Sequence, residues 1–184
     1  MKQNAATAND LQAKRSPGEL SDFCSKFCLR EAPNFAKDPE RCVTGAAPSL
    51  IQLDTIYGPE SGRYWLALQL ANLSEFCGVS GKLSPCQTDL CVTNILQEYP
   101  HLKVTELLLY FSRVAVGRYG LFYGQMDPQR INYWLNDFMQ ERQHIIYRKV
   151  QRENALRDAS KEEEHRKHCV TYEEYQQMKA EGKI

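Results

Sequence analysis

The chain has no apolar run near the roughly 20 residues that a membrane-spanning helix needs. Its first fifteen residues, Met1 to Arg15, hold no apolar stretch of the secretory kind, so a cytoplasmic protein is expected. An excess of either charge is missing as well: 23 Lys and Arg balance 23 Asp and Glu. That balance speaks against a strong autonomous nucleic-acid binder, which carries a clear basic surplus. Strict apolar–polar alternation is absent, and with it the mark of half-buried strands. No G-x-S-x-G elbow, phosphate-binding loop or G-x-G-x-x-G fingerprint occurs. Nothing here spells a reaction, so the expectation is a protein that is not an enzyme and needs no cofactor.

What the chain does contain is a set of helix signals. Ser16-Pro17-Gly18-Glu19, Ser84-Pro85-Cys86-Gln87 and Thr171-Tyr172-Glu173-Glu174 each fit a capping box, and Asp127-Pro128 offers an anionic cap followed by a first-turn proline. Apolar residues recur at three and four. Leu66, Leu70, Leu73 and Cys77 form one stripe; Leu107, Tyr110, Phe111 and Val114 a second; Ile131, Trp134, Leu135, Phe138 and Ile145 a third. The fold class read from these stripes is all-α, a small irregular bundle of about five core helices with a long charged C-terminal helix.

Four parts are expected. Residues 1–15 are polar enough to stay a disordered tail. Residues 16–48 give a first helix near Gly18 to Glu31 and a looser link from Pro33 to Pro48, broken by Pro33, Pro39, Gly45 and Pro48. Residues 49–147 form the helical core, with helices near 49–57, 61–77, 85–99, 105–116 and 128–147. Residues 148–184 form a charged helical extension, closed by a short helix from Tyr172 to about Ala180.

Seven cysteines are many for 184 residues. The count is odd, and Cys77, Cys86 and Cys91 sit in or beside apolar helical patterns, where a thiol behaves as a small hydrophobe. Disulfides are not expected. Cys24-x-x-x-Cys28 together with His165-x-x-His168-Cys169 contains zinc-ligand types, but the second half lacks the matched spacing of a structural site. Glu141-x-x-His144 and Glu162-x-x-His165 carry the E-x-x-H spacing of di-metal helices, which need such pairs on facing helices with further glutamates, but the second pair lies in a charge run with no apolar face to dock it. No metal site is assigned.

A glycine- and aromatic-rich connector, Gly117 to Pro128, feeds the third stripe. Gly117 is expected to end the preceding helix in a left-handed conformation, and the tyrosines to pack across the turn. Basic residues gather nearby: Arg142, His144, Arg148, Lys149 and Arg152 run without an intervening acid, and Arg118 and Arg130 flank the connector. With Tyr119 and Tyr123 they make the candidate binding surface, since arginine beside exposed rings can track a phosphate backbone or anchor a protein partner. The competing reading is a solvated helix face offset by Glu153, Asp158 and Glu162 to Glu164. Trp134 is expected in the core.

Gly117, Tyr119, Gly120, Phe122, Tyr123, Met126 and Asp127, then Ile131, Trp134, Leu135, Phe138, Glu141 and Arg142, follow a pattern of the form G-x-Y-G-x-L/F-Y-x-x-L/M-D and an apolar-W-L/F helix ending in E-R. On these residues the stretch from Lys103 to Arg142 resembles a family of uncharacterised small proteins from Bacteroidales prophages and integrative mobile elements. The likeness extends more weakly to Tyr64-Trp65 and to Asn72 through Phe76. It implies an accessory protein of a mobile element, for example an adaptor in DNA replication that contacts a helicase or primosome component. A late-helix Ile131 and Trp134 are similar to features of helicase-loader adaptors, though not in register. The alternatives are a stoichiometric binder of a host protein and a weak nucleic-acid-binding module. Another protein is the expected partner, with a homodimer through the C-terminal helix also open.

Overall fold

The computed structural model describes residues 17–169 and 172–182, and among these every regular element is helical. In chain order they are α1 (Pro17–Lys26), a 3-10 turn (Leu29–Glu31), α2 (Ala32–Ala36), α3 (Pro39–Thr44), α4 (Leu50–Tyr57), α5 (Ser61–Phe76), α6 (Pro85–Glu98), α7 (Val104–Ala115), α8 (Pro128–His168) and α9 (Tyr172–Ala180). The chain is all-α. The expected tail at residues 1–15 and the caps at Ser16 and Thr171 lie outside the described residues.

The caps that can be inspected act as their residue types dictate. Ser84 and Gln87 bond reciprocally to each other's backbone N–H at 3.3 and 2.9 Å, a capping box at the start of α6. Asp127 accepts from the Gln129 N–H at 2.8 Å as α8 begins at Pro128. At the head of α7, Lys103 takes the cap position, and its N–H donates to Glu106 at 2.8 Å.

The chain divides into two compact units, with the division between Ile145 and Ile146. The first is built around α7, whose Val104, Leu107, Leu108, Leu109, Tyr110 and Phe111 are all buried. It packs against α2, α3 and α5, while α4 and α6 each lie on α5. Every residue of the second stripe is buried, as are Leu66, Leu70 and Leu73 of the first and all five of the third, Trp134 included. Each fully buried Leu or Phe contributes about 1.5–3 kcal/mol from leaving water.

One expectation needs correction. The segment from Pro33 to Pro48 is no loose link: it holds α2 and α3, and Ala32, Cys42 and Val43 are buried. Pro33 and Pro39 stand in the first turns of their helices, where the missing N–H costs nothing. The first helix is also shorter than expected, stopping at Lys26. The backbone just beyond Lys26 docks on α5 through two specific bonds. The Trp65 indole donates to the Phe27 carbonyl at 2.7 Å, and the buried Gln69 accepts from the Leu29 N–H at 2.8 Å. Residues 17–48 therefore share the core with 49–145, and no boundary falls at 48.

In the second unit, none of the described side chains is buried. Its part of α8 carries pairs along its own surface, Lys149 with Glu153 at 3.6 Å and Lys167 with Glu163 at 3.0 Å. No helix among the described residues is long and apolar enough to cross a membrane.

Candidate interaction surface

The connector starts where α7 stops. Gly117 adopts φ +74°, its N–H donating to the Val114 carbonyl and the Arg118 N–H to the Arg113 carbonyl, both at 2.9 Å. This double closure needs a left-handed residue after the helix, which glycine adopts without steric cost. Gly120, at φ +140°, lies so close to Trp134 that an added Cβ would stand 3.0 Å from the indole ring. Further on, the Gly81 N–H donates to the Gly124 carbonyl at 3.0 Å and the Met126 N–H to the Gly81 carbonyl at 2.8 Å, which ties the connector to the loop between α5 and α6.

Glu141 fixes the connector from the side. Its carboxylate binds Arg113 from α7, accepts from Arg118 Nε at 3.1 Å and from the Tyr119 hydroxyl at 3.3 Å. Next to it, Arg142 Nε reaches Glu106 at 2.6 Å, and the Glu106 side chain is wholly buried. The two adjacent residues thus hold α7 and the connector to α8 by opposite charges. Burial first, and then the neighbouring Glu141 carboxylate, push the Tyr119 hydroxyl up to about 12.

The rings of the connector divide between two faces. Tyr119 packs on Tyr110 with centroids 6.1 Å apart, and Phe122 on Trp134 at 5.0 Å. Val116, Leu121 and Tyr123 face outward, exposed by 76, 60 and 76%. Arg130 braces this outer face: Nη1 donates to the Leu121 carbonyl at 2.7 Å, and its guanidinium carbon lies 5.3 Å from the centroid of the Tyr123 ring. Exposed Tyr133, three residues on, shares the face of α8 with Arg130.

Within the first unit the expected basic surface divides among separate contacts. Tyr123 and Arg130 come together; Arg118 and Tyr119 belong to the Glu141 clamp; Arg142 is taken by Glu106 and only one-fifth exposed. His144 is exposed and engaged. Arg148, Lys149 and Arg152 belong to the second unit, where Lys149 pairs with Glu153. Sequence reasoning missed the acid Glu106 and the outward Val116 and Leu121, and it read Glu141 as part of a metal spacing and a family pattern and not as the clamp of the connector. A lone glutamate amid the apolar run of α7 was the available signal for the first.

Among the described residues no three His, Cys, Asp or Glu side chains gather as a metal site would. His165 Nε2 and Cys169 Sγ do approach to 3.1 Å, within the second unit. Glu141 is occupied by arginines, away from E-x-x-H duty.

The model of a family of unknown function, DUF6633, matches residues 83–183, more than half of the chain. The chain belongs to that family. The match takes in α6, α7, the connector, α8 and α9, so the Glu141 clamp and the outer face of the connector both lie inside the family's domain. No curated protein and no solved structure matches the chain.

Proposed function

We propose that the protein is a non-enzymatic accessory factor that works by binding another protein through the outer face of the connector. The observation that carries this reading is the exposure of Leu121 and Tyr123 on a loop held fixed at both ends, with exposed Val116 at the end of α7 beside it and Arg130 braced against the tyrosine. Tyrosine and arginine around an apolar centre are the residues that dominate protein–protein binding energies. A nucleic-acid role is the weaker reading, because Arg118, Arg130 and Arg142 already spend their charge within the fold.

An adaptor in the DNA replication of a mobile element, contacting a helicase or primosome component, is the form of this reading that the Bacteroidales prophage resemblance favours. Inhibition of a host protein would use the same face. A cytoplasmic setting fits seven free thiols. Self-association through the charged helix is a separate proposal, which a measurement of solution mass decides.

The test compares tagged wild-type chain with a Leu121→Asp, Tyr123→Ala double variant in pull-downs from cells carrying the element, with and without nuclease. Proteins retained by the wild type under nuclease and lost by the variant support the proposal, and a replicative helicase among them supports the adaptor form. Recovery that vanishes with nuclease would refute it in favour of nucleic-acid binding.

A further inference from the structure

A concave feature lies in the first unit, made by residues other than those of the connector. Phe27 after α1, Asn34 and Phe35 of α2, Asp38, Arg41 and Cys42 around α3, the loop from Gly45 to Pro48 and Thr105 of α7 line a cavity of about 520 Å³. That volume falls within the range of small-molecule pockets, roughly 300–1,000 Å³. Five separate segments converge on it, which makes it a concave site and not a flat face.

Its chemistry is specific in three respects. The Phe27 and Phe35 rings stack with centroids 5.6 Å apart, and both line the cavity, so a flat ring finds aromatic surface there. The buried lining groups are internally satisfied: Cys42 Sγ donates to the Phe35 carbonyl at 3.0 Å, and the Thr105 hydroxyl to the Cys42 carbonyl at 2.7 Å. Asn34 is spent between Glu31 at 2.9 Å and Lys37 at 3.0 Å. Two charged groups of opposite sign, Asp38 and Arg41, both solvent-exposed at the mouth of the cavity, keep bonding capacity. Asp38 gives one oxygen to the Arg41 N–H at 2.9 Å and has the other to spare, while the Arg41 guanidinium has no hydrogen bond or ion pair among the described residues.

We propose that this cavity binds a small zwitterionic aromatic compound, an aromatic α-amino acid being the simplest member of the class. Its ring stacks on Phe27 and Phe35, its ammonium meets Asp38 and its carboxylate meets Arg41. A ligand with both charges leaves neither Asp38 nor Arg41 facing an unmatched group, whereas a simple acid or amine satisfies one and sets its like charge against the other. Binding without covalent chemistry is expected, because burial, with Asp38 second, pushes the Cys42 thiol up to about 11 and keeps it protonated. All of the lining except Thr105 precedes residue 83, so the site lies almost wholly outside the family match and does not depend on the connector reading.

The experiment titrates the full chain with L-phenylalanine by calorimetry and by the indole N–H resonance of Trp65, which reports on the pocket through its bond to the Phe27 carbonyl. Trp134→Phe identifies which of the two indole signals is Trp65. Saturable binding is expected, weakened about two- to fivefold by Arg41→Gln and by Asp38→Asn, since each removes a charged contact at an exposed position. Asparagine caps a helix as well as aspartate, so the second variant keeps α3 intact. Benzoate and phenethylamine, each with a ring and one charge, should bind more weakly than L-phenylalanine by a similar factor. Absence of saturation up to about 10 mM, near the weak limit of specific binding, would overturn the proposal. So would equal affinity in both variants, or benzoate binding as tightly as the amino acid.

Discussion

The two units solve the problem of charge in opposite ways. In the first, Glu106 sits without solvent exposure against Arg142 and also closes the cap of α7, so one carboxylate serves a helix end and a helix–helix contact. In the second, Glu153 is 61% exposed and pairs with Lys149 one turn away on the same helix. The residue types are alike, and the energetics are not. A buried carboxylate is tied to its partner because neither can return to water, and removing one strands the other. A surface pair trades water for a neighbour at nearly equal free energy. Counting charges along α8 therefore says little, and what matters is which of them lack access to solvent.

The comparison can be broken by removing these carboxylates in order of burial. Glu106→Ala should destabilise by about 3–5 kcal/mol in chemical denaturation, since it leaves Arg142 unmatched and opens the cap. An effect below about 1 kcal/mol would mean that the buried pair is no firmer than a surface one. Glu141→Ala, with the carboxylate 29% exposed, should cost about 1–3 kcal/mol and loosen the connector as Arg113, Arg118 and Tyr119 lose their common acceptor.

Alkali offers a third probe. Tyr119 in the folded chain is raised to about 12 from an ordinary 10.0, and Tyr110, nearly wholly buried, is raised as well. The unfolded chain then releases these protons first. Their contribution is complete below about pH 10 and lost as pH rises through the folded values, so denaturation midpoints should fall above about pH 10. Tyr119→Phe should make that fall shallower while leaving the Tyr110 share. Least of all, Lys149→Ala should change stability by under about 0.5 kcal/mol.

Much of the helical framework was legible because the signals are local. The Ser84 box, the Asp127-Pro128 start and the Gly117 stop each depend on residues within one turn, and each is found where it was read. The prolines misled in the N-terminal region. Pro33 and Pro39 look like breaks in a string of loop residues, yet a proline that cannot continue a helix can begin one, and both do. The candidate surface was harder. An irregular connector has no periodicity, so nothing in Tyr119-Gly120-Leu121-Phe122-Tyr123 says that the first tyrosine and the phenylalanine turn inward while Leu121 and the last tyrosine turn out. Nor does Arg142 announce a partner 36 residues earlier in the chain. Such pairings are products of packing.

Glu141 has a consequence for recognition. By gathering the end of α7, the connector and α8 on one carboxylate, it removes the slack that a loop of three glycines would otherwise have. A loop already set in one shape surrenders little freedom when a partner arrives, so more of the contact energy survives as affinity. The same stiffness makes it unforgiving. In the proposed binding role a partner would need the matching contour, since the loop cannot remould itself around an ill-fitting one.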